Sequence, residues 1–483
     1  MTDIRPVLWV NGMLLAPMGA AMAMPMAIDL VNQNNDWQVF ALASATTLFF
    51  AITLICAYRS QADKLNLQQA FLMTVSAWVI IPGFAALPFI FSELNMSLTD
   101  AYFEAMSGMS TTGATVINGL DNAPPGLLMW RALLQWLGGI GIVVMAVAIL
   151  PMLQIGGMQV FHLESSDTSD KILPRAAQII GAISLFYLLL TIACVICLRL
   201  TGMRPFDAVA HAMTTVATGG FSTKDASIGY FRSWQSELVI TVFMLAAALP
   251  FVAYLKMAQG NIRAMLVDSQ ARFFLGLVAC LVFGISVWLV FEKDFAVVEA
   301  LRYASFNIVS VITGTGYASV DYGAWGAFSL NFFFVIMFIG GCAGSTSCGI
   351  KVFRFQVLIA SFGRVMRQML TPHRIYLPHY NGSPISQEVF SSVLSFFVLF
   401  LVCFATLSAA LAATGLDPVT ALSSAGSALA NVGPGVGNIV GPAGNYQSLN
   451  DTAKWLLSLG MLLGRLELFT VLVLLHPAFW RAS

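Results

Sequence analysis

The sequence predicts an all-α polytopic membrane protein with about ten transmembrane helices, and three observations carry this prediction. Hydrophobic residues make up 58% of the 483 residues. Charged residues make up only 10%, whereas soluble domains carry about 25%. Nine charge-free stretches are long enough to cross a bilayer, which takes about 20 apolar residues in a helix. The composition therefore excludes a soluble globular protein, and the balance of 23 basic and 23 acidic residues leaves no positive excess to bind nucleic acid.

The predicted spans follow one another along the chain. The first could be read as a signal peptide, because Ala21-Met22-Ala23 resembles a cleavage site, but its apolar run is longer than a typical signal core. The last span is the one interrupted by charge, at Arg465 and Glu467. The ten spans are 6–28, 37–58, 71–92, 132–155, 176–198, 238–255, 273–291, 322–350, 389–416 and 455–475.

The charges assign the two sides of the membrane. Ten spans place the N-terminus, the C-terminus and most Lys and Arg residues on one side, which the positive-inside rule identifies as the cytoplasm. Most acidic residues fall on the other side, where a net negative outer vestibule would concentrate cations.

Four outer segments share one pattern, which repeats with a period of about 100 residues. When the segments are aligned on a glycine, an alanine stands twelve residues before it and a hydroxyl side chain six residues before it. The aligned residues are Ala101, Ser107 and Gly113; Ala208, Thr214 and Gly220; Ala304, Ser310 and Gly316; and Ala421, Ser427 and Gly433.

Each repeat is predicted to consist of an outer helix, a short re-entrant helix, a glycine turn and an inner helix. The re-entrant segments are too short to cross the membrane. Asp100 and Asp207 are predicted N-caps, and Pro418 is predicted at the first helical position. The predicted organisation is two N-terminal helices in 1–60 and four repeats in 61–165, 166–262, 263–365 and 366–483.

The four turns are predicted to meet at one axis. Non-helical backbone at membrane depth persists only where protein or a water-filled cavity satisfies its polar groups. Four such turns would form rings of carbonyl oxygens that replace the hydration shell of a cation. The alternative is that the glycines serve close helix packing.

The chain resembles the membrane subunit of the Trk/Ktr superfamily of potassium transporters, of the bacterial TrkH type. The four glycine turns carry the resemblance, together with the motifs Gln135-WLGGIG, Gly340-GCAGSTSCGIK and Gly464-RLELFT. It implies a pseudo-fourfold ion pore within one chain and a selectivity filter that binds potassium. The implied filter residues are Thr111, Thr112, Gly113, Thr218, Gly219, Gly220, Gly314, Thr315, Gly316, Asn431, Val432 and Gly433.

The inner helix of the third repeat contains a run of small residues that a regular helix accommodates poorly, since each glycine costs about 1 kcal/mol relative to alanine. The resemblance assigns this run the role of a gate below the filter, and tight packing against a neighbouring helix is the alternative. Cys348 stands where glycine is expected, which would stiffen the loop. The predicted gate residues are Gly340, Gly341, Gly344, Ser345, Thr346, Ser347 and Gly349.

Arg465 is predicted to face the cavity, contact the gate and form an electrostatic barrier to cations, because a charge inside a membrane span is costly and usually functional. The alternative is a structural arginine satisfied by backbone carbonyls. Glu467 is not its expected partner, since it lies on another face of the helix. Glu104, His211, Asn307 and Ser424 occupy equivalent places in the re-entrant helices and are predicted to pack behind the filter.

These features favour gated potassium uptake driven by the membrane potential, without covalent chemistry or a cofactor, so that potassium is the substrate. The alternatives are a sodium- or proton-coupled symporter and, more remotely, an intramembrane enzyme or a scaffold. The resemblance further implies a homodimer in the bacterial inner membrane and a cytosolic nucleotide-binding ring of the TrkA type. This ring is expected at the basic inner loop 351–388, which could otherwise hold lipid headgroups.

Overall fold

A computed structural model describes residues 3–58, 66–148, 172–371, 373, 378–381 and 383–481. Nearly all of the regular structure is helical, and the one small sheet of this part of the chain pairs His379–Tyr380 with Ser383–Pro384. The predicted all-α membrane fold is confirmed. Among the described residues, seven helices are long and apolar enough to cross a membrane, or nine if two sharply bent pairs each count as one span.

The N-terminal helices pack on one another and against the first repeat. The first span comprises Arg5–Ala21 and Ala23–Val31, and the second is Trp37–Ala57. Asn11 is buried in this packing and donates a hydrogen bond to the Ser76 hydroxyl at 2.8 Å.

An outer helix, a short pore helix and an inner segment then follow one another four times. The outer helices are Leu67–Ala85 continued by Leu87–Phe91, then Ile172–Leu200, Ser269–Lys293 and Gln387–Ala413. The pore helices are Leu98–Met109, Pro205–Val216, Val297–Ile312 and Pro418–Ala430. Short helices at Leu120–Asn122, Ser227–Phe231 and Tyr322–Trp325 follow the first three turns.

The inner segments differ among repeats, and only the first is a single long helix in the described residues. The inner segments are Pro125–Ala148; Trp234–Ala248 with Phe251–Ala258; Ala327–Ile336; and Asp451–Arg465 with Phe469–Leu472. A short helix at Ala264–Val267 precedes the third outer helix, and short helices at Val473–Leu475 and Pro477–Arg481 follow the fourth inner segment. Residues 149–155 of the predicted span 132–155, and the predicted boundary at 165/166, lie outside the described residues.

Three predicted spans either bend sharply or end early. The span 238–255 bends by 90°, because Pro250 has no N–H to donate and disfavours helix in the residue before it. The span 455–475 bends by 108°, where Glu467 and Leu468 adopt left-handed conformations with φ of 59° and 54°. In 322–350 the helix ends at Ile336, ahead of the glycine-rich run.

Two further predictions were wrong in detail. Asp100 and Asp207 lie in the first turns of their helices and are not the N-caps; Ser97 caps the first, and Pro205 begins the second. Pro418 is the first helical residue as predicted, with Asp417 capping the Thr420 N–H at 3.1 Å. The predicted inner loop 351–388 instead begins with the helix Val352–Leu370.

Candidate ion pathway

Each pore helix ends in a turn of the same backbone conformation. The first residue of each turn has a φ between 50° and 72°, and the third, which is the aligned glycine, has a φ between 78° and 102°. Side chains at Cβ oppose this left-handed region, which explains glycine at the third position. The first positions are Thr111, Thr218, Gly314 and Asn431, and the third are Gly113, Gly220, Gly316 and Gly433.

The four turns touch one another in cyclic order. A Cβ built on Gly113 would lie 2.2 Å from the carbonyl oxygen of Gly219, the middle residue of the second turn. The corresponding distances are 1.8 Å from Gly220 to Thr315, 2.0 Å from Gly316 to Val432 and 2.6 Å from Gly433 to Thr112. The fourth turn therefore contacts the first, and the four turns form a closed ring of backbone.

In the first three repeats, the pore helix holds the chain that leaves the turn. Nine residues before the aligned glycine, Glu104 accepts a hydrogen bond from the Val116 N–H at 2.9 Å. At the equivalent position of the second repeat, a ring nitrogen of His211 lies 2.9 Å from the Ser222 hydroxyl. In the third repeat, Asn307 donates to the Ser319 hydroxyl at 3.0 Å. These contacts fix the turns from behind; Ser424 is the equivalent residue of the fourth repeat.

Arg131 joins the first two turns, and the sequence analysis did not assign it to the site. Its side chain is buried, forms an ion pair with Glu104 at 2.7 Å, and donates to the Ser222 carbonyl at 2.8 Å. The guanidinium carbon also lies 4.0 Å from the centre of the Phe221 ring. The available signal was a lone charge within the otherwise apolar helix Pro125–Ala148.

Amide side chains brace two of the turns. Gln135 donates to the Gly219 carbonyl at 2.5 Å and accepts from the Phe221 N–H at 3.0 Å. Asn431 donates to the Thr112 hydroxyl at 2.8 Å and to the Met461 carbonyl at 3.0 Å.

Hydroxyl groups brace the fourth turn. Tyr446 and Ser427 both donate to the Gly433 carbonyl, each at 2.8 Å. The role of Tyr446, which lies outside the aligned segments, was not visible in the sequence.

A non-helical segment, residues 337–351, lies below the ring, and we call it the loop segment. Its Cys348 sulfur is 3.5 Å from the Thr111 hydroxyl, and a Cβ on Gly314 would lie 3.3 Å from the Cβ of Cys348. Thr346 donates its hydroxyl to the Val216 carbonyl, at the end of the second pore helix, at 3.1 Å. The loop segment thus contacts the underside of three repeats at once.

Hydrogen bonds hold the loop segment in place. The N–H groups of Cys342 and Thr346 donate to the carbonyls of Ala248 and Ala247, at the bend of the second inner segment, at 3.0 Å and 3.3 Å. The Ala343 N–H donates to the Gln270 side chain at 2.9 Å. Within the segment, the Gly340 N–H donates to the Ile350 carbonyl, the Gly341 N–H to the Ser347 hydroxyl, and the Ser345 hydroxyl to the Cys342 carbonyl. From outside it, the Phe251 N–H donates to the Gly344 carbonyl. The two ends of the glycine-rich run also pack closely, since a Cβ on Gly349 would lie 3.0 Å from Gly340.

Four charged side chains line a cavity beside the loop segment. Arg465 donates to the Cys348 sulfur and, at 3.2 Å, to the Gly138 carbonyl. Arg354 is fully buried and forms an ion pair with Glu467, and Lys351 donates to the Ser347 carbonyl. Arg465 therefore faces the cavity, and Glu467 is the partner of a different arginine.

Three further ion pairs join neighbouring repeats. Lys224 lies 3.3 Å from Asp121, Arg302 lies 2.7 Å from Glu237, and Lys454 lies 2.6 Å from Asp100. Each of these three acids, like Glu104, has a basic partner in the fold.

Comparison with known proteins identifies the family. Residues 37–481 match the family model described as TrkH, cation transport protein. The chain is 43% identical to the Trk system potassium uptake protein TrkI of Halomonas elongata over 478 residues, covering 99% of this chain and 97% of that protein. It is 36% identical to the Trk system potassium uptake protein TrkH of Escherichia coli K12 over 482 residues, covering 99% of each. The crystal structure of the potassium transporter TrkH from Vibrio parahaemolyticus superposes with a TM-score of 0.91 at 35% identity, covering 99% of this chain and all of that one. The chain belongs to the TrkH family of cation transport proteins.

Proposed function

We propose that this protein takes up potassium through the ring of four glycine turns. The observation that carries the proposal is the cyclic contact of the turns, in which each aligned glycine lies against the middle carbonyl of the next turn. Backbone oxygens around one axis replace the water of a dehydrated cation at little cost in reorganisation. The relatives named as potassium uptake proteins support potassium as the ion.

The filter of this proposal comprises the three residues of each turn. The first and second turns contribute Thr111, Thr112, Gly113, Thr218, Gly219 and Gly220. The third and fourth contribute Gly314, Thr315, Gly316, Asn431, Val432 and Gly433. Because the triplets differ, the selectivity for potassium over sodium is expected to be looser than in a channel with four identical turns.

The loop segment is the proposed gate. It lies directly below the first and third turns through Cys348, and hydrogen bonds to the bend at Ala247 and Ala248 hold it there. Four of its N–H and hydroxyl groups donate to neighbouring elements, namely the N–H groups of Cys342, Ala343 and Thr346 and the Thr346 hydroxyl, so it forms an ordered plug in this conformation. Conduction requires these hydrogen bonds to break or rearrange.

Arg465 is the proposed electrostatic barrier of the gate. Its guanidinium group touches Cys348, so a cation that leaves the ring meets a buried positive charge. At an intermediate effective dielectric, one charge about 10 Å away changes a barrier by roughly tenfold in rate. Arg465→Gln is therefore expected to raise rubidium flux about tenfold, whereas the control Arg481→Gln, at an exposed site, leaves it unchanged.

Reversal potentials of the purified protein in liposomes test the transport mode. A uniport pathway gives a potential that follows the potassium gradient and ignores a proton gradient. A potential that shifts with sodium in fixed proportion to potassium, or with pH, would instead indicate coupled symport and overturn the proposal of a passive conduit.

The proposed setting is a homodimer in the bacterial inner membrane with both termini in the cytoplasm, regulated by a nucleotide-binding ring of the TrkA type. The helix Val352–Leu370 supports a docking surface, because Arg367, Met369 and Leu370 at its C-terminal end are exposed. We expect the wild-type protein to pull down the native ring and the Arg367→Glu variant to fail to do so. Equal recovery by both proteins would exclude this surface, and the mass of the detergent-solubilised protein tests the dimer.

A further inference from the structure

The cavity beside the loop segment carries more positive than negative charge. Lys351, Arg354 and Arg465 line it, and Glu467 is the one carboxylate among the described residues of its wall. Glu467 is already paired with Arg354. Two positive charges therefore lack a compensating carboxylate in a region where burial makes an uncompensated charge expensive.

Arg465 also keeps an unused donor. Its two terminal nitrogens donate to Cys348 and Gly138, but the buried Nε–H has no hydrogen-bond partner in the described structure. The residue is 3% exposed, so bulk water does not readily supply the missing acceptor. Buried guanidinium donors are normally satisfied, and an anion is the acceptor that also balances their charge.

The neighbouring groups fit an anion better than a second cation. Lys351 spends one donor on the Ser347 carbonyl, and an ammonium group has three donors in all. Apolar side chains, including Phe396 and Phe400, complete the enclosure and weaken the competition from water.

We propose that this cavity is a binding site for a small monovalent inorganic anion of the chloride class, held by Arg465 and Lys351. The bound anion cancels one of the two uncompensated charges below the ring. For conduction the inference rests on the proposed function, since the same positive charges form the barrier to the departing cation. Anion occupancy then lowers that barrier, so an anion promotes cation flow.

Crystals of the full-length protein grown with bromide in place of chloride test binding directly. The expected result is an anomalous peak in the cavity, within hydrogen-bond distance of the Arg465 side chain. Lys351→Gln is expected to weaken the peak, whereas Lys256→Gln, which removes an exposed lysine outside the cavity, leaves it unchanged. Absence of the peak from the wild-type protein overturns the proposal.

Rubidium flux tests the consequence. In phosphatidylcholine liposomes at equal ionic strength, flux with chloride is expected to exceed flux with gluconate about tenfold, because one charge near the ion path is neutralised. A ratio of one refutes the effect on conduction. Restoration of flux in gluconate by phosphatidylglycerol would identify a lipid phosphate as the occupant and overturn the proposal of a free inorganic anion.

The two kinds of failure are distinguishable. If flux does not respond to Arg465→Gln, the barrier in the proposed function is wrong, and the bromide peak still decides whether the anion site exists.

Discussion

Replacing Gly220 with alanine places a methyl group where the ring has no room for one. The new Cβ would lie 1.8 Å from the Thr315 carbonyl oxygen, whereas ordinary contact begins at 3.4 Å. The two turns must therefore separate by up to 3.4 Å less 1.8 Å, or 1.6 Å. A misplacement of about 1 Å can impair a preorganised site by about 100-fold. Rubidium uptake by Gly220→Ala in liposomes is accordingly expected to fall about 100-fold, with weaker discrimination against sodium.

Gly202→Ala is the matched control. Gly202 has a φ of 91°, but a Cβ there would have no atom within 4 Å. Both variants therefore carry the left-handed strain of about 1–2 kcal/mol, and only Gly220→Ala adds a clash with a carbonyl group. Equal rubidium uptake by the two variants, in samples that are both monodisperse and folded, would refute the assignment of the ring as the ion path.

Three further substitutions probe the supports of the ring and the outer surface. Arg131→Met leaves the Glu104 carboxylate buried without its cation, so the free energy of unfolding is expected to fall by about 3–5 kcal/mol. The double variant Arg131→Met with Glu104→Leu removes the unpaired carboxylate and should recover part of the lost melting temperature. Gln135→Leu removes the donor to the Gly219 carbonyl, and we expect sodium permeability measured by reversal potential to rise while the melting temperature changes little. Burial raises the pKa of Asp36, so the folded chain binds a proton on this carboxyl group more tightly than the unfolded chain and becomes more stable as the pH falls through the raised pKa. Asp36→Asn should therefore flatten the dependence of melting temperature on pH. An unchanged dependence would contradict this reasoning.

Much of the architecture could be predicted because it depends on residues that are close together in the sequence. Apolar length predicts a spanning helix, and four aligned glycines predict four equivalent turns, since only the turn conformation demands glycine at that place. The pore helices follow from the same alignment. Pro418 could be placed at a helix start because its fixed φ and missing N–H suit that position.

The rest depends on contacts between residues distant in sequence. The role of Arg131 could not be predicted, because nothing near it in the sequence reveals that Glu104 and the Ser222 carbonyl contact it in the fold. Arg354 was assigned to a basic loop, although it is buried against Glu467, 113 residues away. The bend after Ala248 had a local signal in Pro250, but apolar length alone predicts an unbroken span.

The same bend determines what lies exposed when the loop segment leaves its place. The carbonyl oxygens of Ala247 and Ala248 accept hydrogen bonds from that segment, because the helix that would have used them stops there. If the loop segment moves away as the proposed gate, both oxygens lose these donors. Under the proposed gating, a passing cation then meets two carbonyl oxygens without hydrogen-bond donors, so that opening the gate also supplies ligands to the ion.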